Sequence, residues 1–309
     1  ADGRVVVGSS SFGGLNDPMQ AFVWTAAGGM VGLGDLDGGF IVHSLGRGVS
    51  ADGSVVVGNA SEHSFRWTTA TGMQDIGQWG AMGISADGNV VVGWQESAQG
   101  RSAVRWTLAG GIQDLGALPG SNFDAFAADA SLDGNVLVGQ SWSGRAGVEP
   151  IRWTRTSGMV GLGDLAGGSF YALGFALSDD GGVLVGEAVS DLGLEAWRWT
   201  PQGGLESLDP LGSALFVSTA YGISADGEFV VGYSQRVGGA ALWTERGGFR
   251  SIQEILLHFG VDLAGWQLWI AVAITRTPTG TVIVGYGGDP LGRTQAWIAR
   301  LPDVPYPHR

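Results

Sequence analysis

The 309 residues contain no cysteine, which excludes a disulfide framework and any thiolate metal centre. Charge is scarce too. Asp, Glu, Lys and Arg make up 15% of the chain, and 29 acids against 16 bases leave a formal net charge of −13. That balance opposes binding to nucleic acid or anionic lipid, both of which need clustered cations, while permitting cations. No apolar run reaches membrane-spanning length and no signal peptide is present, so Ala1 is expected to follow a processing boundary. Low charge without cysteine fits an exported protein stabilised by other means.

Glycine and tryptophan are plentiful. Fifty-six glycines imply many tight turns rather than long helices, and 13 tryptophans within a 44% apolar composition supply a large core. The composition reads as all-β.

The chain is organised by a repeat. The segment Ile84-Ser-Ala-Asp-Gly-Asn-Val-Val-Val-Gly93 recurs, in its second half, at residues 1–8, 51–58, 86–93, 132–139, 179–186, 225–232 and, degenerately, 278–285. The closing glycines 8, 58, 93, 139, 186, 232 and 285 lie 50, 35, 46, 47, 46 and 53 residues apart. Each repeat resolves into four segments. Val-Val-Val-Gly is a β-branched strand, B, buried on both faces. An aromatic strand C follows, with a tryptophan in every copy: Trp24, Trp67, Trp106, Trp153, Trp199, Trp243 and Trp297. Five residues beyond six of these, a glycine opens strand D through a hairpin. A longer connection leads to a small-residue strand A, which reaches the next B through Ala-Asp-Gly, suited to a turn of positive φ.

Four antiparallel strands in about 46 residues, repeated seven times, predict a β-propeller. Seven four-stranded blades over residues 1–303 are expected as a single domain, with 304–309 a tail; six blades plus an appended hairpin is the alternative, and a parallel β-helix the more distant rival. Seven B, seven C, six A and six D segments are legible, with both deficits at the termini. Ser251-Ile-Gln-Glu254 has the form of a helix-capping box, followed by Ile255, Leu256 and Phe259 at helical spacing, and predicts a short helix.

The pattern Ile-Ser-Ala-Asp-Gly-x-Val-Val-Val-Gly, the strand small-Phe-x-Trp-Thr and Gly-Met-x-x-Leu-Gly resemble the extracellular HAF repeat family, named for a His-Ala-Phe tripeptide. The closing Gly260-Val-Asp-Leu-Ala-Gly-Trp266 and Gly285-Tyr-Gly-Gly-Asp-Pro-Leu-Gly292 resemble the last unit of such arrays, some of which precede autotransporter barrels. The resemblance implies export, a surface or passenger location in a bacterium, and repetition, without a defined activity. The hallmark histidine is kept only as His63; Gln20, Ser102, Glu149, Glu195, Gly239 and Arg293 stand in its place.

The A–B and C–D turns are uniform and fall on one side of an up-and-down blade, which reads as scaffold. The B–C and D–A loops vary and share the opposite side, where function is expected. There Trp79, Trp94, Trp142, Phe123, Tyr171, Tyr233 and Tyr286 are candidates to stack on sugar rings, with Asp124, Glu96, Glu187 and Arg145 as hydrogen-bonding partners. The bland reading packs them between blades. Trp197, Trp266 and Trp269 read as packing residues. His43 and His63, both preceding strands of one blade, could hold a metal or polar ligand, but two histidines are too few for a convincing site. The repeated turn aspartates fall short of a calcium shell and read as structural. No nucleophile elbow, zincin motif or phosphate loop is present.

The sequence therefore supports an exported binding module that needs no cofactor and takes a glycan or other cell-surface polymer, or a protein partner. An alternative is a polysaccharide hydrolase or lyase using loop carboxylates among Glu96, Asp124, Glu187 and Asp289. A second is a structural or protein-interaction platform.

Overall fold

The computed structural model describes residues 3–11, 18–36, 43–120, 124–144, 147–209 and 217–302. The expected tail therefore lies outside the described residues. The chain is an all-β, seven-bladed β-propeller. Its described strands form seven antiparallel sheets, each a simple meander in chain order. Five sheets have strands A to D. Among the described residues the first, Val5–Ser11, Met19–Thr25 and Gly29–Gly32, starts at B, and the seventh, Gln267–Thr277, Gly280–Gly288 and Thr294–Leu301, stops at C.

The chain divides into two compact units: residues 1–144 with 152–160, and residues 145–151 with 161–309. Blades one to three belong to the first and blades five to seven to the second. In the first unit, Val55, Val57, Ile84, Val91, Val104 and Trp106 build one core between blades two and three. In the second, Val185, Ala220, Ile223, Val230 and Trp243 do the same between blades five and six. Strand B is apolar on both faces because blades pack on both sides of it, so its Val-Val-Val run shows no alternation.

The repeated glycine has a specific cause. In six blades strand A carries a bulge opposite strand B, as at Ala81/Gly83 against Gly93 and Val92. The bend brings the strand A carbonyl over the glycine, so a Cβ on Gly58, Gly93, Gly139, Gly186, Gly232 or Gly285 would strike the oxygen of Leu45, Gly80, Phe126, Leu173, Thr219 or Ile270. None of these glycines has positive φ. Space, not backbone conformation, demands them.

Pairing also corrects the tryptophan register. Trp67, Trp106, Trp199 and Trp243 pair with Val56, Val91, Leu184 and Val230, two residues before the strand B glycine. Trp297 instead pairs with Gly285 itself, as Phe22, Phe65 and Trp197 pair with Gly8, Gly58 and Gly186. Trp297 fills the slot over the bare glycine, and Ala299 takes the place of the repeated tryptophan. No glycine follows it at the usual distance because it was never in that register.

The Ser-x-Asp-Gly turn is a closed hydrogen-bond unit. Buried Ser50 donates its hydroxyl to Asp52 Oδ1 at 2.6 Å, and Val55 N–H donates to Ser50 Oγ at 3.0 Å. Ser85, Ser131, Ser178 and Ser224 repeat both bonds. The turn glycines, such as Gly53 and Gly88 at φ 75°, adopt left-handed backbone. Turns of successive blades are tied by Ala51 N–H to Ala86 O and Asp179 N–H to Ala225 O.

Hydrogen bonds from the Ser50 hydroxyl, the Ser54 N–H and the Ser54 hydroxyl pull Asp52 from 3.8 to about 2. Asp133 and Asp180 are also lowered, chiefly by the Asn135 N–H and the Ser178 hydroxyl respectively. At Asp87 and Asp226 burial pushes upward, yet the turn hydrogen bonds outweigh it and both are lowered. A depressed carboxylate contributes stability that is complete above its unfolded pKa and is lost as pH falls through the folded one. The thermal midpoint is thus expected to decline between about pH 4 and pH 2. Scanning calorimetry across that range checks it, and an unchanged midpoint would refute the stabilising role of these turns.

Ser251 serves as the expected helix N-cap. Helix α1, Ile252–His258, begins after Ser251, whose hydroxyl accepts from Glu254 N–H, and it buries Ile252, Ile255 and Leu256.

Candidate functional site

The residue directly after the strand B glycine lies at the variable-loop end and reaches the next blade. Gly46 N–H donates to Ser9 Oγ. Asn59 accepts from Ala81 N–H and donates to Ala81 O. Trp94, Glu187, Tyr233 and Tyr286 occupy this same position in their blades. Four of the sequence candidates thus share one structural slot, and its surroundings decide what each can do.

In the first unit Trp94 lies over Gly80, edge-on to Phe126 with ring centroids 5.9 Å apart. The Arg101 guanidinium sits 5.1 Å from the Trp94 ring and 5.4 Å from that of Phe126. Arg101 also donates to Glu96 at 3.0 Å and comes within 3.7 Å of Asp124. Trp94, Glu96 and Asp124 are therefore gathered around Arg101, which sequence reading left out and which occupies the ring face. Trp142 is half-buried, with its N–H donating to Asp124 O. Trp79 is 4% exposed and donates Nε1–H to Ile76 O, so it belongs to the core and leaves the candidate set.

His63 Nδ1 meets Asp75 at 2.9 Å, on the strand D side of its blade. His43 lies beyond strand B, where its N–H donates to Asp35 and its carbonyl accepts from Ser61 N–H. Among the described residues no set of three His, Asp or Glu is arranged for a metal. Phe123 and Arg145 lie outside the described residues.

The second unit holds the open cluster. Glu187 is half-buried and accepts from the Thr219 hydroxyl at 2.8 Å. Burial raises its pKa despite that bond. Burial and then the Glu187 charge raise Tyr171, and burial, Glu187 and Tyr286 raise Tyr221. Tyr171 and Tyr221 thus lie within electrostatic reach of the Glu187 carboxyl group, and Tyr286 within reach of Tyr221. Tyr171 is 36% exposed and Tyr286 39%. Tyr221 is the bulged residue of its strand, between Ala220 and Gly222, and stacks on Phe175 of the preceding blade at 5.6 Å and 24°. Tyr233 pairs with Thr219 and is half-buried.

Sequence reading missed Phe175, Thr219 and Tyr221, and it read Trp269 as a packing residue. Trp269, 38% exposed, is the bulged residue between Leu268, which pairs with Gly287, and Ile270, which pairs with Tyr286. An aromatic in an apolar run reads as core, and only the bulge turns it outward. The fourth enzyme candidate, Asp289, is engaged by the N–H groups of Leu291 and Arg293 and by the Arg293 guanidinium.

No family model and no curated protein matches the sequence. Among solved structures, the chain is similar to TolB from Acinetobacter baumannii, with a TM-score of 0.55 at 15% identity over 80% of this chain and 62% of that one. It is also similar to the Kuenenia stuttgartiensis hydrazine synthase, with a TM-score of 0.52 at 12% identity over 91% of this chain and 89% of that one. The chain thus spans less than two thirds of the Acinetobacter protein, and at these identities the likeness establishes the fold alone.

Proposed function

We propose that the protein is an exported or cell-surface binding module whose variable-loop face takes carbohydrate. The observation that carries this reading is Glu187 hydrogen-bonded to Thr219 with Tyr171 and Tyr221 near it, and Tyr286, exposed like Tyr171, near Tyr221. Two exposed tyrosines and the half-buried Tyr221 near a half-buried hydrogen-bonding acid suit a ligand that is apolar on one face and hydroxyl-rich at its edge. Trp269 extends the aromatic surface. The lack of cysteine and the low charge support export, and the HAF-like repeats support a passenger or surface-sorted setting. No described helix is long and apolar enough to cross a membrane.

In this reading the tyrosines supply stacking and Glu187 accepts or donates to sugar hydroxyls. Glu96 and Asp124 face Arg101, which pairs with their charge, so the hydrolase or lyase reading has Glu187 as its remaining open carboxyl group.

A glycan and polysaccharide array on the purified protein, with product analysis of each hit, tests the proposal. Binding without turnover is expected. Tyr286→Ala should weaken it by about tenfold or more, equivalent to about 1.4 kcal/mol. Released sugars would move the case to an enzyme. An array with no hits would end the carbohydrate reading and leave a protein partner or a spacer.

A further inference from the structure

We propose that the cluster on the variable-loop face of the second unit selects sugars bearing a free ammonium group, such as the glucosamine units of a deacetylated hexosamine polymer, and holds that ammonium against Glu187. The proposal rests on the carbohydrate reading and narrows it to one ligand class. Two pairs of blades that hold different residues at the same stations carry it.

Trp94 of the third blade and Glu187 of the fifth each follow the strand B glycine, and each meets strand A of the next blade, at Phe126 and Thr219 respectively. Phe126 and Thr219 are themselves equivalent, since they pair with Gln140 and Tyr233, the residues after the next strand B glycines. The first unit supplies its own cation to this arrangement. Arg101, which pairs with Glu96 in the strand B–C hairpin, lies 5.1 Å from the Trp94 ring and 5.4 Å from that of Phe126. At the same station of the fifth blade, Leu194 pairs with Val189. The fifth blade thus has the acid but lacks the arginine. Among the described residues the Glu187 carboxyl group has Thr219 as its hydrogen-bonding partner and no cationic side chain paired with it.

Strand register sets the aromatic groups beside that acid. Glu187 pairs with Leu173, and two residues on Val189 donates its N–H to the Tyr171 carbonyl at 2.9 Å. Residues two apart share a face of a strand, so Tyr171, Glu187 and Leu194 lie on one face of the fifth blade. Tyr221, stacked on Phe175, feels both the Thr219 hydroxyl and the Glu187 charge. A carboxylate partly withdrawn from water without a counter-ion is costly, and burial accordingly raises Glu187. A ligand ammonium offsets that cost, and tyrosine faces attract it too. The net charge of −13 adds long-range attraction for cations. A neutral sugar stacks on the same rings but leaves the acid uncompensated.

Isothermal titration with glucosamine tetramer and N-acetylglucosamine tetramer, two oligomers of one backbone that differ in charge, tests the proposal. It is run at about pH 6, where an amine is protonated and an ordinary carboxylic acid ionised, and at about 0.15 M salt to screen remote charges. The glucosamine tetramer is expected to bind about tenfold or more tightly than its acetylated counterpart. Glu187→Gln should abolish that preference. Leu194→Arg, which places a cation where Arg101 stands in the third blade, should abolish it independently. Glu206→Gln removes the same charge from strand D of the fifth blade and should leave the preference in place. Equal affinity for the two tetramers, or a preference that survives Glu187→Gln or Leu194→Arg, would overturn the ammonium site while leaving the carbohydrate reading intact. Binding of neither tetramer would overturn it as well, and hits elsewhere on the glycan array would then decide the wider reading.

Discussion

Gly93→Ala is expected to destabilise the protein by more than about 3 kcal/mol, beyond the usual cost of overpacking a core. The added methyl would meet the carbonyl oxygen and carbon of Gly80 and the Cα of Ala81, all backbone atoms of the bulged strand A. No side chain can rotate away. Relief requires strand A to move, and strand A also packs on the next blade, where Gly83 touches the backbone of Ala128. Gly111→Ala is the control. It has φ 64° but nothing within 4 Å of its would-be Cβ, so it should cost only the left-handed strain of about 1–2 kcal/mol. Urea unfolding of the two variants distinguishes them. Equal losses would show that strand A yields readily and that the repeated glycine is not a steric requirement.

Trp197→Ala should cost about 3–5 kcal/mol, the range for deleting a large buried aromatic. Trp197 is fully buried and its ring lies over Gly186, filling the space which that glycine leaves bare. The loss is a cavity in the fifth blade, and no polar bond goes with it, because Trp197 Nε1 finds no acceptor. Trp197→Phe should therefore recover much of the stability, since it restores aromatic volume and removes a buried donor that has no partner. Denaturant midpoints of both variants provide the check. A Phe variant as damaged as the Ala variant would mean that the indole N–H is bonded in solution.

The candidate site was legible only in part. Trp94, Glu187, Tyr233 and Tyr286 stand out because they break the repeat directly after its glycine, and that pattern carries them to one end of the blade. What covers them is not periodic. Arg101 occupies the Trp94 face because the strand B–C hairpin aligns it there, and no local pattern distinguishes it from a solvated loop arginine. Tyr221 and Trp269 were hidden for another reason. Each sits at a bulge, which breaks the two-residue alternation from which exposure is read. Trp79 misled in the opposite direction, as a loop tryptophan that folds back to bond Ile76 O.

The sequence by itself pointed to the all-β class, the order of strands within a blade and the capped helix α1, and it favoured seven blades over six with an appended hairpin. Each of these follows from local pattern, since a period, a turn dipeptide or a cap needs only neighbours in the chain. Tertiary structure alone decided the register of Trp297, the steric reason for the strand B glycine, and the bond from Arg105 of the third blade to the Gly134 carbonyl of the fourth. All three depend on which backbone lies across the gap, between strands or between blades. Repeats that look equivalent along the chain acquire different neighbours once they are packed, and there burial and unpaired polar groups separate scaffold from site.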